Sequence, residues 1–132
     1  MKVVIDTNIV ISAAISPNGN CAKIIDAIAE NKEIQLYYNE KILFEYKEVL
    51  SRKHLRITDK IQKDIIESIK KAGIELGPNP SEILMPDESD RVFFDTALEA
   101  DAFLITGNKK HYPAEYFVVL PAEFLKIFDI AN

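Results

Sequence analysis

Short apolar segments alternate with helical segments along the chain, and this alternation limits the folds that the chain can adopt. Five segments have the length and composition of buried strands: KVVID, IQLYY, IEL, AFLIT and FVVL. The longer segments between them have apolar residues at helical spacing. Strands that alternate with helices form a parallel sheet covered on both faces. We therefore predict an α/β fold, a three-layer α/β/α sandwich with a central parallel sheet of about five strands.

Local signals predict where several helices begin and end. Asn39 and Thr58 have side chains that cap helix N-termini, so we expect helices to begin directly after them. Gly73 is expected to end the second of these helices. Pro121 stands at the favoured first-turn position of a last helix. The segment GPNPSEILMPDES contains three prolines and is predicted to be a loop.

Composition narrows the class of protein. The 132 residues are 48% hydrophobic, enough for one domain with its own core, and we expect a single domain over residues 1–132. The sequence has no run of 18 apolar residues and no secretion-signal pattern, so we expect a cytoplasmic protein without a membrane segment. The single Cys21 cannot form an internal disulfide. A net charge of −5 argues against binding nucleic acid by bulk charge alone. An acidic protein can still cleave nucleic acid when metal ions neutralise its site.

Asp6 follows the first apolar strand directly. Ligand sites in parallel α/β sheets lie outside the carboxyl ends of the strands, where the strand order reverses. Asp6 would lie at such a site if the first strand is central in the sheet. The alternative is that Asp6 only caps the helix that follows it. Asp6 alone does not decide between these two interpretations.

The segment EKILFEYKEVLSR contains two acids with different predicted environments. Its apolar face consists of Ile42, Leu43, Tyr46, Val49 and Leu50. Glu45 lies on the border of this face, whereas Glu48 lies farther out and four residues before Arg52, where a surface ion pair is expected. We therefore expect Glu45 to point toward the sheet and Glu48 to point toward solvent. Taken by itself, Glu45 is better explained as a border residue that reaches water.

The helical segment DRVFFDTALEADA carries a third acid of interest. Its apolar stripe consists of Phe93, Phe94, Ala97, Leu98 and Ala100. Asp90 falls near the middle of this stripe at its N-terminal end, while Asp95 and Glu99 are predicted to point away from it. A carboxylate on a buried face costs free energy unless it is hydrogen-bonded or paired with a cation. The helix dipole favours an acid in the first turn and explains part of the placement of Asp90. A metal ion bound by Asp90 would explain the rest.

The segment FLITGNKKHYP brings more polar residues to the end of a strand. Thr106 ends the strand, Gly107 makes a turn and Asn108 presents an amide, although asparagine is common in turns. We interpret His111 as an inert surface histidine. Lys109 and Lys110 flank this turn, and we expect them, with Arg52, to contact RNA phosphates if RNA is the substrate.

Three acids and one amide from four segments are thus predicted to converge on one edge of the sheet: Asp6, Glu45, Asp90 and Asn108. Oxygen ligands of this kind suit Mg²⁺ or Mn²⁺, which also bind phosphate oxygens. Such an ion can activate water and stabilise a leaving oxygen, which is the chemistry of phosphodiester hydrolysis. The sequence has no zinc-type Cys/His spacing and no P-loop, dinucleotide-binding or serine-hydrolase motif.

These motifs resemble those of PIN-domain nucleases, in particular the toxin components of toxin–antitoxin systems. The resemblance covers nearly the whole chain: VVIDTNIVISA, ILFEYKEVLSR and DESDRVFFDTALEADAFLITGNKKHYP. It implies a Mg²⁺- or Mn²⁺-dependent endoribonuclease, often a homodimer, that is held in check by a small antitoxin protein. By this resemblance Asp6, Glu45 and Asp90 are the catalytic metal ligands, and Asn8 and Thr106 support the site.

Asn108 is the one departure from the family pattern, since many members carry a fourth acid there. Its amide removes one charge and favours an alternative, a non-catalytic PIN-like module that binds RNA or protein. A second alternative is a phosphatase of the haloacid-dehalogenase type, because VVIDTNIV loosely fits the motif of that family. In that case Asp6 would form a phosphoaspartate and Glu45 would be dispensable.

Overall fold

The computed structural model describes residues 1–131. Over this range five strands form one parallel sheet: β1 (Lys2–Ile5), β2 (Gln35–Tyr38), β3 (Gly73–Glu75), β4 (Phe103–Ile105) and β5 (Val118–Val119). The α-helices in the same range are α1 (Thr7–Ile15), α2 (Asn20–Glu30), α3 (Glu40–Leu50), α4 (Asp59–Ala72), α5 (Arg91–Ala100) and α6 (Pro121–Ala131). None of these helices is both long and apolar enough to cross a membrane.

The strand order is β3-β2-β1-β4-β5, so β1 is the central strand. The chain runs outward from β1 to β3 and then returns to the other side of β1 to form β4. Because parallel crossovers are right-handed, these two directions place their helices on opposite faces of the sheet. Accordingly, α1, α2 and α4 pack on one another, whereas α5 packs against β1, β2 and β4. The predicted three-layer α/β/α fold with a five-stranded parallel sheet is confirmed.

Helix α3 and helix α4 begin at the predicted caps. The Asn39 side chain accepts a hydrogen bond from the N–H of Ile42 at 3.1 Å, and Thr58 accepts one from Ile61 at 3.2 Å. Helix α4 ends before Gly73, as predicted. A Cβ atom at Gly73 would lie 2.5 Å from the Tyr38 ring. Glycine is therefore needed there because β3 passes so close to β2.

The core is built around β1, whose residues Val3, Val4 and Ile5 have no exposed surface. Parallel strands covered on both faces are apolar throughout for this reason. Phe93 and Phe94 of α5 are also fully buried, and each such side chain stabilises the fold by about 1.5–3 kcal/mol. The carboxyl end of β1 is therefore a rigid base for the residues that follow it.

Candidate active site

Asp6 is buried at the carboxyl end of β1, with only 5% of its surface exposed. Its backbone N–H donates to the carbonyl of Ile105 at 2.9 Å, which continues the pairing of β1 with β4. One carboxylate oxygen, Oδ1, accepts from the N–H of Thr7 at 2.7 Å and caps α1. The other, Oδ2, accepts from the Thr106 hydroxyl at 2.8 Å. Both interpretations of Asp6 are therefore compatible, since it caps a helix and also lies where the strand order reverses.

The turns after β1 and β4 are bonded to each other. The Asn8 side chain accepts from the N–H of Gly107 at 3.0 Å, and its Nδ2 lies 3.5 Å from Oδ2 of Asp6. The Thr106 hydroxyl also accepts from the N–H of Asn108 at 3.1 Å. Asn8 and Thr106 thus lie on either side of Asp6 and contact its carboxylate.

Helix α3 is fixed to the end of β1 by Tyr46. This side chain is fully buried, and its hydroxyl donates to the carbonyl of Ile5 at 2.5 Å. Glu45, the preceding residue, is therefore held close to Asp6. Glu48 faces solvent and pairs with Arg52 at 3.1 Å, as the helical wheel predicts.

Glu45 is half-buried and hydrogen-bonded rather than extended into water. Its Oε2 accepts a short hydrogen bond from the Thr7 hydroxyl. Burial raises the pKa of Glu45, the Thr7 hydrogen bond lowers it, and the nearby charge of Asp6 raises it further. These effects show that Asp6 and Glu45 share one electrostatic environment.

Asp90 belongs to the same group of charges. It ends a short 3₁₀ turn directly before α5, and 14% of its side chain is exposed. Burial, followed by the charges of Asp6 and Asp87, raises its pKa to about 6, and Glu45 adds to this effect. His111 acts in the opposite direction and lies 3.7 Å away, measured from Nδ1 to Oδ2 of Asp90. The sheet edge thus brings the three predicted acids into mutual repulsion.

Asp95, which the helical wheel places outside the apolar stripe, is not exposed to solvent. Its side chain is buried, and it accepts hydrogen bonds from the backbone N–H of Ser81 at 2.9 Å and from the Ser81 hydroxyl at 2.5 Å. Arg91 lies 4.0 Å away on the same helix. Leu98, which the wheel places in the apolar stripe, is 40% exposed. Asp95 therefore attaches the proline-containing loop to α5.

Two of the three predicted RNA contacts already have a carboxylate partner. Lys109 lies 3.1 Å from Glu123, and Arg52 lies 3.1 Å from Glu48, with each basic side chain about half exposed. Lys110 is exposed and forms no ion pair with the residues that the structure describes. Exposed pairs contribute about 0–1 kcal/mol, so phosphate can replace these partners at little cost.

Tyr112 is a residue that the sequence analysis missed. Its ring packs on Phe94 of α5, and its hydroxyl is buried. Burial and the charges of Asp6 and Asp90 raise its pKa well above the ordinary value. A hydrogen-bond interaction with Asp6 contributes to the same rise, so this hydroxyl belongs to the group of polar atoms around the acids. Its position in the turn after β4 is the only sequence signal for it.

The acids fit a divalent cation by their chemistry, although their side chains do not enclose one. Among residues 1–131, no three His, Cys, Asp or Glu side chains are arranged to hold an ion, because Glu45 is bonded to Thr7 and Asp90 faces His111. No lysine or arginine of this range forms an ion pair with Asp6, Glu45 or Asp90. A divalent cation would relieve the repulsion that raises the pKa values of Glu45 and Asp90.

Replacing Asp90 by asparagine is expected to stabilise the metal-free protein at neutral pH. The folded-state pKa of about 6 exceeds the unfolded value of 3.8, so the wild type binds a proton more tightly when folded. The contribution of Asp90 to stability is therefore most favourable below pH 4 and is lost as the pH rises through about 6. Asp90→Asn lacks this loss. At neutral pH its free energy of unfolding is therefore expected to exceed that of the wild type by roughly 1–2 kcal/mol, a value already reduced for solvent screening.

Urea unfolding in EDTA at pH 4 to 7 measures this difference. The exposed Asp26 on α2 provides the control, and Asp26→Asn is expected to follow the wild type. The prediction would be contradicted if the free energies of unfolding of Asp90→Asn and the wild type differed by the same amount at every pH from 4 to 7.

The chain is similar to known protein sequences. A family model described as PIN domain matches residues 2–110, which include all three acids. The uncharacterized protein MJ1680 of Methanocaldococcus jannaschii is 38% identical over 113 residues, covering 83% of this chain and 72% of that protein.

The fold is also similar to a solved structure. A chain in the crystal structure of VapBC2 from Rickettsia felis, bound to a DNA fragment from their promoter, superposes with a TM-score of 0.57. The superposition covers 91% of this chain and 97% of that chain at 16% identity, so it concerns the fold alone. The PIN domain match includes the segment VVIDTNIV, so we no longer interpret this segment as a phosphatase motif. Because the PIN model spans most of the sequence, this chain belongs to the PIN domain family.

Proposed function

We propose that this protein is a metal-dependent endoribonuclease and the toxin of a type II toxin–antitoxin pair. The observation that carries the proposal is the convergence of Asp6, Glu45 and Asp90, from three segments, at the point where the strand order reverses. Burial and the charges of these acids raise the pKa values of Glu45 and Asp90, and no lysine or arginine among the described residues forms an ion pair with them. Such repulsion is typical of sites that hold a cation.

Asp6, Glu45 and Asp90 would hold Mg²⁺ or Mn²⁺. The ion, when bound, supplies a charge that polarises a phosphate oxygen and favours ionisation of water. The Thr106 hydroxyl and the Thr7 N–H fix both oxygens of Asp6, so that its carboxylate does not need to reorient. In the same proposal Lys109, Lys110 and Arg52 bind phosphates of single-stranded RNA around the acids.

A groove beside the acids supports the proposed antitoxin partner. It has a volume of ≈ 1040 Å³, and Glu45 forms part of its wall. Most charged residues that line it are acidic: Glu40, Glu45, Glu48, Glu75, Glu88 and Asp95, against Lys41 and Arg91. Phe44, 71% exposed, adds an apolar surface. A basic segment with apolar side chains fits this groove better than an RNA backbone does.

The partner proposal also draws on the Rickettsia felis structure, which contains VapBC2 with promoter DNA. We propose by analogy that this chain is cytoplasmic, forms a homodimer and binds a small antitoxin protein. A basic segment of that protein in the acidic groove would cover Glu45 and inhibit the enzyme.

The purified protein is expected to cleave mixed-sequence single-stranded RNA in Mg²⁺ or Mn²⁺ and to lose this activity in excess EDTA. The reason is that the clustered acids need a cation before an anionic phosphodiester can approach them. Labelled RNA resolved on a denaturing gel measures cleavage, with single-stranded DNA of the same sequence as a comparison. Any co-purified antitoxin is first removed by unfolding and refolding the protein.

The alternative is a non-catalytic PIN-like module that binds RNA or protein. The observations that favour it are the amide of Asn108 in place of an acid and the open arrangement of the three carboxylates. Such a module would bind RNA equally well in EDTA and with a divalent metal ion, and it would not cleave RNA with any metal ion. That outcome, with correctly folded protein, would reject the nuclease proposal.

A further inference from the structure

The short 3₁₀ turn Lys109–His111 contains a set of hydrogen bonds that orients His111. The backbone N–H of Lys110 donates to Oδ1 of Asn108 at 3.1 Å, which fixes the orientation of the amide. The Asn108 Nδ2 group therefore faces Nε2 of His111, and the two nitrogens are 3.1 Å apart. An amide NH₂ group can only donate, so Nε2 must accept.

The proton of the neutral His111 ring is consequently on Nδ1. This nitrogen lies 3.7 Å from Oδ2 of Asp90, which is beyond hydrogen-bond distance but close enough for charge attraction. A carboxylate at this distance favours an N–H group over a lone pair. Both neighbours of His111, Asn108 and Asp90, thus favour the same tautomer.

Contacts on both sides hold this turn in place. Lys109 pairs with Glu123 of α6, and Glu123 also accepts from the N–H of Leu120 at 2.8 Å. Tyr112 follows the turn directly and is buried against Phe94 of α5. Because α5 begins directly after Asp90, the contact between these rings also fixes the distance from His111 to Asp90.

We propose that His111, oriented by Asn108, is a positioning residue that directs the Asp90 carboxylate toward the metal ion. The inference rests on the metal-binding part of the proposed function. It gives Asn108 a role other than that of a missing fourth acid, because the neutral amide selects the tautomer whose N–H faces Asp90. Partners of this kind, which orient a metal ligand, change metal affinity by about 10–100-fold when they are removed.

Mn²⁺ titration of the isolated protein, followed by electron paramagnetic resonance without RNA, tests this role. His111→Ala is expected to weaken Mn²⁺ binding by about 10–100-fold. His111→Asn places an amide nitrogen near the position of Nδ1 and is expected to restore most of the affinity. His54→Ala, at an exposed histidine of another 3₁₀ turn, is expected to bind like the wild type. His111 is half exposed, so these substitutions leave the core intact.

Three results would overturn the inference. These are equal Mn²⁺ affinity in His111→Ala and the wild type, an affinity of His111→Asn as low as that of His111→Ala, and a wild type that binds no Mn²⁺. By contrast, the expected pattern of affinities in a protein that cleaves no RNA would support the inference and reject the nuclease activity. The two proposals can therefore fail separately.

The tautomer provides a second measurement that needs neither metal nor activity. In ¹⁵N-labelled, metal-free protein at pH 8, the ring nitrogens of His111 are expected to show a proton on Nδ1. In Asn108→Ala the proton is expected to move toward Nε2, the tautomer that imidazole side chains prefer in water. A wild-type ring with its proton on Nε2 would contradict the proposed orientation of Asp90 by His111.

Discussion

Asp6→Asn is expected to reduce metal-dependent RNA cleavage by about 10³-fold or more, equivalent to about 4 kcal/mol of transition-state stabilisation. The substitution removes one negative charge from the most buried of the three acids. Asparagine keeps an oxygen for the Thr7 N–H, so the cap of α1 is retained. The Thr106 hydroxyl can rotate to accept from the new amide group. Loss of activity would therefore report on the charge and not on the fold.

Cleavage of single-stranded RNA in Mn²⁺ measures the effect, with Asp26→Asn as the matched control on an exposed helix face. The same variant offers an independent signature, because Asp6 is the largest charge that raises the pKa of Asp90. In Asp6→Asn the pKa of Asp90, followed by NMR, is expected to fall from about 6 toward 3.8. Cleavage within tenfold of the wild type would exclude Asp6 from the reaction.

Asn39→Ala is expected to cause the largest loss of stability among the polar substitutions considered, about 2–4 kcal/mol. Its side chain caps α3 through Ile42 and donates to the carbonyl of Leu76 at 3.1 Å and to the Thr96 hydroxyl at 3.0 Å. Alanine removes all three bonds from a buried position and leaves the N–H of Ile42 unpaired. Because α3 carries Glu45, the loss also loosens one side of the candidate site.

Thr58→Ala is the matched control, because Thr58 caps α4 with a single bond from an exposed position. It is expected to cost about 1 kcal/mol, the usual value of an N-cap. In thermal unfolding these energies correspond to about 10 °C for Asn39→Ala and about 4 °C for Thr58→Ala. Equal losses in the two variants would mean that the bonds from Asn39 to Leu76 and Thr96 contribute nothing.

Features that depend on local spacing could be predicted from the sequence. Asn39 and Thr58 were identifiable as caps because side-chain oxygens at these positions reach N–H groups three residues ahead. The helical wheel separated Glu45 from Glu48 because α3 is regular and its apolar face is wide. Asp6 required one more assumption, that β1 is central, which the strand order confirms.

Features that depend on contacts between distant segments could not be predicted. Asp95 is buried because Ser81 reaches it from a loop without periodicity, so the helical wheel could not reveal its partner. His111 looked like an isolated surface histidine because Asp90 is separated from it by the whole of α5 and β4. The burial of the Tyr112 hydroxyl beside Asp6 depends in the same way on the packing of its ring against Phe94.

During protein synthesis, the central position of β1 delays assembly of the site. Thr106, which binds Asp6, lies 100 residues farther along the chain, and ribosomes need about 5–20 s to add that many residues. Until β4 leaves the ribosome, β1 lacks one of its two neighbouring strands and Asp6 lacks its Thr106 partner. A nascent chain therefore carries Asp6, Glu45 and Asp90 before it can hold them together. If the protein is a toxic nuclease, the translating cell is protected until β4 and Thr106 have left the ribosome.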